Sequence, residues 1–156
     1  MALTNPTTPT LERFRDQTTV VLTSYRRDGT PVDTPVHIAV DGDRAYIRTY
    51  ATAFKARRLR RNPEVVVWTA MGGTRPALIT LMNPKGVRRT GSGVRARARL
   101  LTGDESQRAA RVMARKYPVL HGFLIPWMHR HWYRTQTIEV ELTPVGEPPP
   151  ELARAS

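Results

Sequence analysis

The sequence predicts one mainly β domain, a small antiparallel β-barrel carrying a few helices. Three observations lead there. The chain has 156 residues, 40% of them apolar, which suits a single core and is too short for two ordinary enzyme domains. Short β-branched and apolar runs recur, separated by tight turns built on Asp and Gly. The side-chain period becomes helical in only a few short segments. The domain is expected over residues 11–145. Residues 1–10, rich in Thr and Pro, read as a flexible arm, and 146–156 as a Pro-rich tail.

Residues 11–17 (LERFRDQ) fit a short helix. Thr19–Tyr25 (TVVLTSY) is a strand, and Arg26-Arg27-Asp28-Gly29 turns it back, because Gly tolerates positive φ. Pro31–Val40 reads as one returning strand whose prolines suit an edge. Asp41-Gly42-Asp43 makes a second turn into Arg44–Tyr50, with Ala45, Ile47 and Thr49 on one face. Thr52–Asn62 is a helix, capped by Thr52, facing the sheet with Phe54 and Leu59, and stopped by Asn62-Pro63. Glu64–Thr69 is a strand. Val94–Leu101 alternates, with Val94, Ala96, Ala98 and Leu100 inward and Arg95, Arg97 and Arg99 outward. Asp104–Tyr117 is an amphipathic helix, with Asp104 as cap, Gln107 completing a capping-box-like pair, and Ala109, Val112, Met113 and Lys116 in helical phase. Thr135–Leu142 closes the sheet with Ile138, Val140 and Leu142 inward. The sum is six strands and about three helices. Residues 71–93 hold an apolar run, Ala77–Met82, among glycines and prolines, and read as a hairpin extension or flap.

With no Cys there are no disulfides, thiolate metal sites or Cys nucleophiles. No apolar run is long enough to span a membrane, and the first residues lack a signal-peptide pattern, so the cytoplasm is the expected compartment. His129-x-His131 lacks a third ligand at metal-binding spacing, so no metal is expected. Nucleophile-elbow, phosphate-loop and dinucleotide motifs are missing, so any chemistry is expected to come from a cofactor.

The net charge is +12, and of 25 basic residues only Lys55, Lys85 and Lys116 are Lys. Arg forks match phosphates and carboxylates, so the chain expects an anionic partner. The densest feature is Lys55-Ala-Arg57-Arg58-Leu-Arg60-Arg61, five positive charges opening a helix directly after a strand. Helix N-termini bind phosphate through free amides and the dipole. An ordinary basic surface helix is the alternative. A nucleic-acid-binding module is a rival reading of the whole chain, but no nucleic-acid partner is expected. The aromatic and basic stretch Trp127–Tyr133, with the apolar run before it, suits an interface or a pocket wall.

The succession TVVLTSYRRDGTPVDTPVHIAV, RAYIRTY and AFKARRLRRNPEVVV resembles the split β-barrel proteins of the pyridoxine-5′-phosphate-oxidase-like class, in particular its F420-dependent branch. ARKYPVLHGFLIPWMHR and RTQTIEVELTP resemble the C-terminal half of one subgroup. The resemblance covers roughly residues 13–145. It implies a split β-barrel of the FMN- or F420-binding type and a homodimer with its cofactor sites at the subunit interface. It implies an oxidoreductase that moves a hydride between coenzyme F420 and a small organic substrate. It places the cofactor phosphate near Lys55, with Arg57 and Arg58 as further anion contacts. Arg48 and Thr49 would border phosphate and ring, and Thr34, Pro35, Val36 and His37 would line the ring. His37 and Tyr25 are the candidate proton donors. The F420 tail carboxylates would suit Arg60, Arg61 and the Arg95, Arg97 and Arg99 face. Two features depart from the pattern. Ala53 stands where FMN oxidases carry a small hydroxyl residue, which weakens an FMN reading, and 71–93 is longer than the pattern. FMN remains the alternative cofactor, and a non-catalytic carrier or a haem- or lipid-binding relative the alternative role.

Overall fold

Side-chain alternation sets which strand faces meet, and a computed structural model gives the outcome for residues 10–50, 53–75, 87–118, 124, 127 and 137–146. The strands are β1 Thr19–Tyr25, β2 Pro31–His37, β3 Ala39–Asp41, β4 Arg44–Tyr50, β5 Glu64–Ala70, β6 Arg89–Leu100 and β7 Thr137–Pro144. Among the described residues the bounded α-helices are α1 Phe54–Arg61 and α2 Gly103–Lys116. All pairings are antiparallel, in the order β2-β1-β5-β6-β7-β4-β3.

The two ends of that order are neighbours in the chain, separated only by Ile38. β2 pairs with β1 up to Thr19↔His37, and β3 then pairs with β4 from Ala39↔Tyr46. One extended run thus changes partner in mid-course and joins the two sheet edges into a barrel. This corrects the expectation of a single strand over Pro31–Val40, and dividing that run makes seven strands of the expected six or so. The backbone of Ile38, outside both ladders, is satisfied locally. Its N–H donates to the Thr18 carbonyl at 3.3 Å, and its carbonyl accepts from Tyr117 Oη at 2.6 Å and Lys116 Nζ at 2.8 Å.

The barrel interior takes the residues that alternation predicts. Val20 and Leu22, Ala45 and Ile47, Val65 and Val67, Val94, Ala96 and Ala98, and Val140 and Leu142 are all buried in one cluster. Each fully buried Val, Leu or Ile contributes about 1.5–3 kcal/mol. Helix α1 touches β1, β4 and β6 and sets Leu59 into this cluster, so it covers one end of the barrel. Helix α2 packs on the outer side of β3, β4 and β7, with Met113 against Ala39 and Tyr46.

Several local expectations change. Phe54 does not face the sheet and is 76% exposed. At about 100° per residue it lies roughly 140° from Leu59, so one apolar stripe cannot hold both. Ala53 is the N-cap of α1, without a side-chain bond, and Thr52 lies outside the described residues. Thr102 is the N-cap of α2, and Asp104 sits in its first turn rather than capping it. Residues 11–17 contain a single 3-10 turn, Glu12–Phe14. Strand β6 begins at Arg89, so the last part of 71–93 belongs to the sheet. Residues 76–86 and nearly all of 119–136, including His129 and His131, lie outside the described residues.

Gly93 shows where backbone closeness demands glycine. A Cβ there would meet Val66 Cγ1 at 2.4 Å and the Trp68 ring at 3.0 Å. The Trp68 indole therefore lies flat across β6. It donates through Nε1 to Thr23 Oγ1 at 2.9 Å and carries the Arg89 guanidinium 4.4 Å from its ring centroid.

Candidate anion-binding site

Helix α1 starts in an electrostatically awkward way. Its first turn holds no acid, its cap makes no side-chain bond, and its second residue is Lys55. The positive end of a helix disfavours a cation and leaves amide donors unsatisfied. Lys55 is half-buried, and no other described residue hydrogen-bonds or ion-pairs with it. Burial, reinforced by the nearby Arg58 charge, pushes its ammonium down to about 8.

Arg58, one turn on, inclines the same way. Its Nε donates to Ser24 Oγ at 2.8 Å, and Nη2 reaches Thr34 Oγ1 at 3.5 Å. Burial first, then the charges of Arg26 and Arg61, lower its pKa. Four cations thus gather over the barrel end made by β1, β2 and α1. The groups that perturb Lys55 and Arg58 are burial and other cations, with no acid among them. Such an uncompensated field favours an anion, and the helix start supplies amide donors toward it.

The sequence-selected residues do not all converge here. Lys55, Arg58 and Thr34 come together. Arg57 is exposed and folds back over Phe54, its guanidinium 5.6 Å from the ring centroid. Arg48 lies on the outer side of β4 and donates to Glu139 Oε1 at 2.6 Å, with both side chains buried. Thr49 points inward and is buried. Within Thr34–His37 the strand alternates: Val36 is buried in the core, whereas Pro35 and His37 lie on the outer side, opposite Val21 and Thr19. The His37 ring packs 5.5 Å from Tyr117. Tyr25 stands at the other end of β1, six residues from the Thr19 that pairs with His37. That is about 20 Å, so within one chain the two candidate proton donors stand at opposite ends of the strand pair.

Arg99 does not belong to an open basic face, because it binds Glu141 Oε1 at 3.2 Å and is also paired with Glu105. Arg95 and Arg97 stay exposed. Sequence reasoning missed Ser24 and Arg26. The signal for Ser24 was a hydroxyl on the inward phase of an otherwise apolar strand. Among the described residues no cluster of three or more His, Asp or Glu could hold a metal, and no helix is long and apolar enough to cross a membrane.

Comparison with known proteins bears on the fold. The haem storage protein HutZ of Vibrio cholerae superposes with a TM-score of 0.59 at 18% identity, over 88% of this chain and 89% of that one. A structure described as an F420 reductase gives 0.50 at 15% identity, over 86% and 93% of the two chains. A haem-binding protein of Mycobacterium smegmatis gives 0.53 at 13% identity, over 82% of this chain and 46% of that one. These identities establish a shared fold and nothing finer. No curated protein matches the sequence significantly. The family model for pyridoxamine 5′-phosphate oxidase matches residues 7–137, most of the chain. The partner-switching barrel, with its cationic helix at one end, is therefore a split barrel, and the chain belongs to the pyridoxamine 5′-phosphate oxidase family.

Proposed function

We propose that the protein is an oxidoreductase that uses coenzyme F420 to transfer a hydride to or from a small organic substrate. The observation that carries this reading is Lys55, a half-buried lysine without a counter-charge at an uncapped helix start, beside Arg58. These groups fit a phosphate-bearing cofactor: two cations, free amides and the Ser24 and Thr34 hydroxyls at one barrel end. Lys55 and Arg58 would hold the phosphate, with Arg26 and Arg61 adding field from the rim. Bound there, the deazaflavin supplies hydride-transfer chemistry. The chain's part is to fix the cofactor by its anionic group and to align a substrate against it.

The site rests on one protomer's residues at the barrel end, and a homodimer with the ring at the subunit interface is part of the proposal. So are a small-molecule substrate and a cytoplasmic location. FMN is the alternative cofactor, since its phosphate suits the same cations. Titrating the purified protein with F420 and with FMN separates the two. Saturable F420 binding that competes with inorganic phosphate is expected. Tight FMN binding with none for F420 would sink the first choice.

A further inference from the structure

A second basic feature lies outside the Lys55 cluster. On the outer side of β1, β5 and β6 a cleft of about 100 Å³ is lined by Tyr25, Glu64, Val66, Arg95, Arg97 and Val145. Pairing explains its make-up. Glu64 lies directly opposite Arg97 and Val66 opposite Arg95, and Tyr25 continues the row on β1 beyond Thr23↔Val66. Arg95 and Arg97 are two apart on one strand, so their side chains leave the same face about 7 Å from each other.

The Arg95 and Arg97 guanidinium groups and the Tyr25 hydroxyl have no side-chain hydrogen bond or ion pair with another described residue. Glu64, although opposite Arg97, does not bridge to it. Arg99, next on that face, shows the contrast, since Glu141 and Glu105 hold it. The cleft thus converges three unused donors on a space bounded by apolar Val66 and Val145. Its volume is well below the ~300–1,000 Å³ of a whole-ligand pocket, so it suits one functional group. A carboxylate matches an Arg fork in shape and charge. Glu64 weakens the site by like charge, and the two Arg charges outweigh it.

We infer that the Tyr25–Arg95–Arg97 cleft is a carboxylate-binding subsite. Its carboxylate comes either from a separate small acid or from the far end of the anion held at Lys55. The second source rests on the cofactor reading above; the cleft itself does not. The probe is a tri-glutamate peptide, titrated calorimetrically at low salt. Arg95→Ala and Arg97→Ala should each weaken it at least fivefold, and Glu64→Gln should tighten it. Inorganic phosphate binding should stay unchanged in these variants and fall in Lys55→Ala. Arg111→Ala, at an exposed position of α2, removes one equal charge away from the cleft and serves as control. Two further titrations identify the source. If the carboxylate belongs to the cofactor, Arg95→Ala weakens F420 but not FMN, which has no carboxylate. If it belongs to a separate acid, both cofactors bind as before while tri-glutamate binding still falls. Equal losses of tri-glutamate in Arg95→Ala and Arg111→Ala, or no loss in either, would overturn the subsite. Loss of phosphate binding in Lys55→Ala bears on the cofactor reading alone.

Discussion

Replacing Lys55 by Met should move stability and anion binding in opposite directions. In the free protein the ammonium sits half-buried, without a counter-charge, at the positive end of α1. Its fall from 10.5 to about 8 marks a penalty on the charged form. At about 1.4 kcal/mol per pH unit this is up to roughly 3 kcal/mol, and nearer 2 after allowing for its partial contact with solvent. Lys55→Met removes that penalty and keeps the apolar stem. For a chain of this size, about 2 kcal/mol corresponds to a rise of about 4–8 °C in melting temperature. Anion affinity should fall at least tenfold, about 1.4 kcal/mol. The pH dependence has a defined sign. Below pH 8 both folded and unfolded lysine are protonated, and the penalty is fully present. Between pH 8 and 10.5 the unfolded chain binds the extra proton, so stability rises with pH. Anion affinity falls across the same upward passage through pH 8. Lys116, also pushed down to about 8 by burial, adds to the stability slope, so the difference between wild type and variant isolates Lys55. The assays are thermal unfolding from pH 7 to 10.5 and calorimetric phosphate titration. A destabilised Lys55→Met protein with unchanged phosphate affinity would refute the reasoning.

Three further outcomes follow from packing. Gly93→Ala forces a methyl group against Val66 and the Trp68 ring and should cost about 1–3 kcal/mol in urea unfolding; an unchanged midpoint would contradict the close approach. Tyr117→Phe removes the donor to the Thr18 and Ile38 carbonyls and should cost about 1–2 kcal/mol, read in the same assay, with Lys116 still holding Ile38. Arg48→Ala leaves the Glu139 carboxylate buried without its partner and should cost about 3–5 kcal/mol, whereas Arg48→Met with Glu139→Leu should be close to neutral; equal losses in the two proteins would argue against a buried pair.

Much of the fold was legible where one face of an element is uniformly apolar. β4 and the second half of β6 show strict alternation, and Ala109 and Met113 mark the buried side of α2. The partner switch at Ile38 was not legible, because both halves of Pro31–Val40 are equally extended and β-branched. Only the long-range pairing with β1 and then β4 divides them. Phe54 was misplaced by residue type, although its helical phase relative to Leu59 already opposed burial. At the site, the charge run marked Lys55 and Arg58, but charge alone could not separate cations with partners from those without. Arg48 and Arg99 look identical to Arg95 in sequence. They differ because Glu139 and Glu141 stand opposite or beside them across strands that are distant in the chain.

The most direct test is equilibrium binding of F420 to wild type, Lys55→Ala and Arg58→Ala, with FMN measured alongside. Saturable F420 binding to wild type, tighter than FMN and weakened at least tenfold in both variants, is the expected result. F420 binding that is absent from wild type, or indifferent to both substitutions, would contradict a deazaflavin phosphate site at the start of α1.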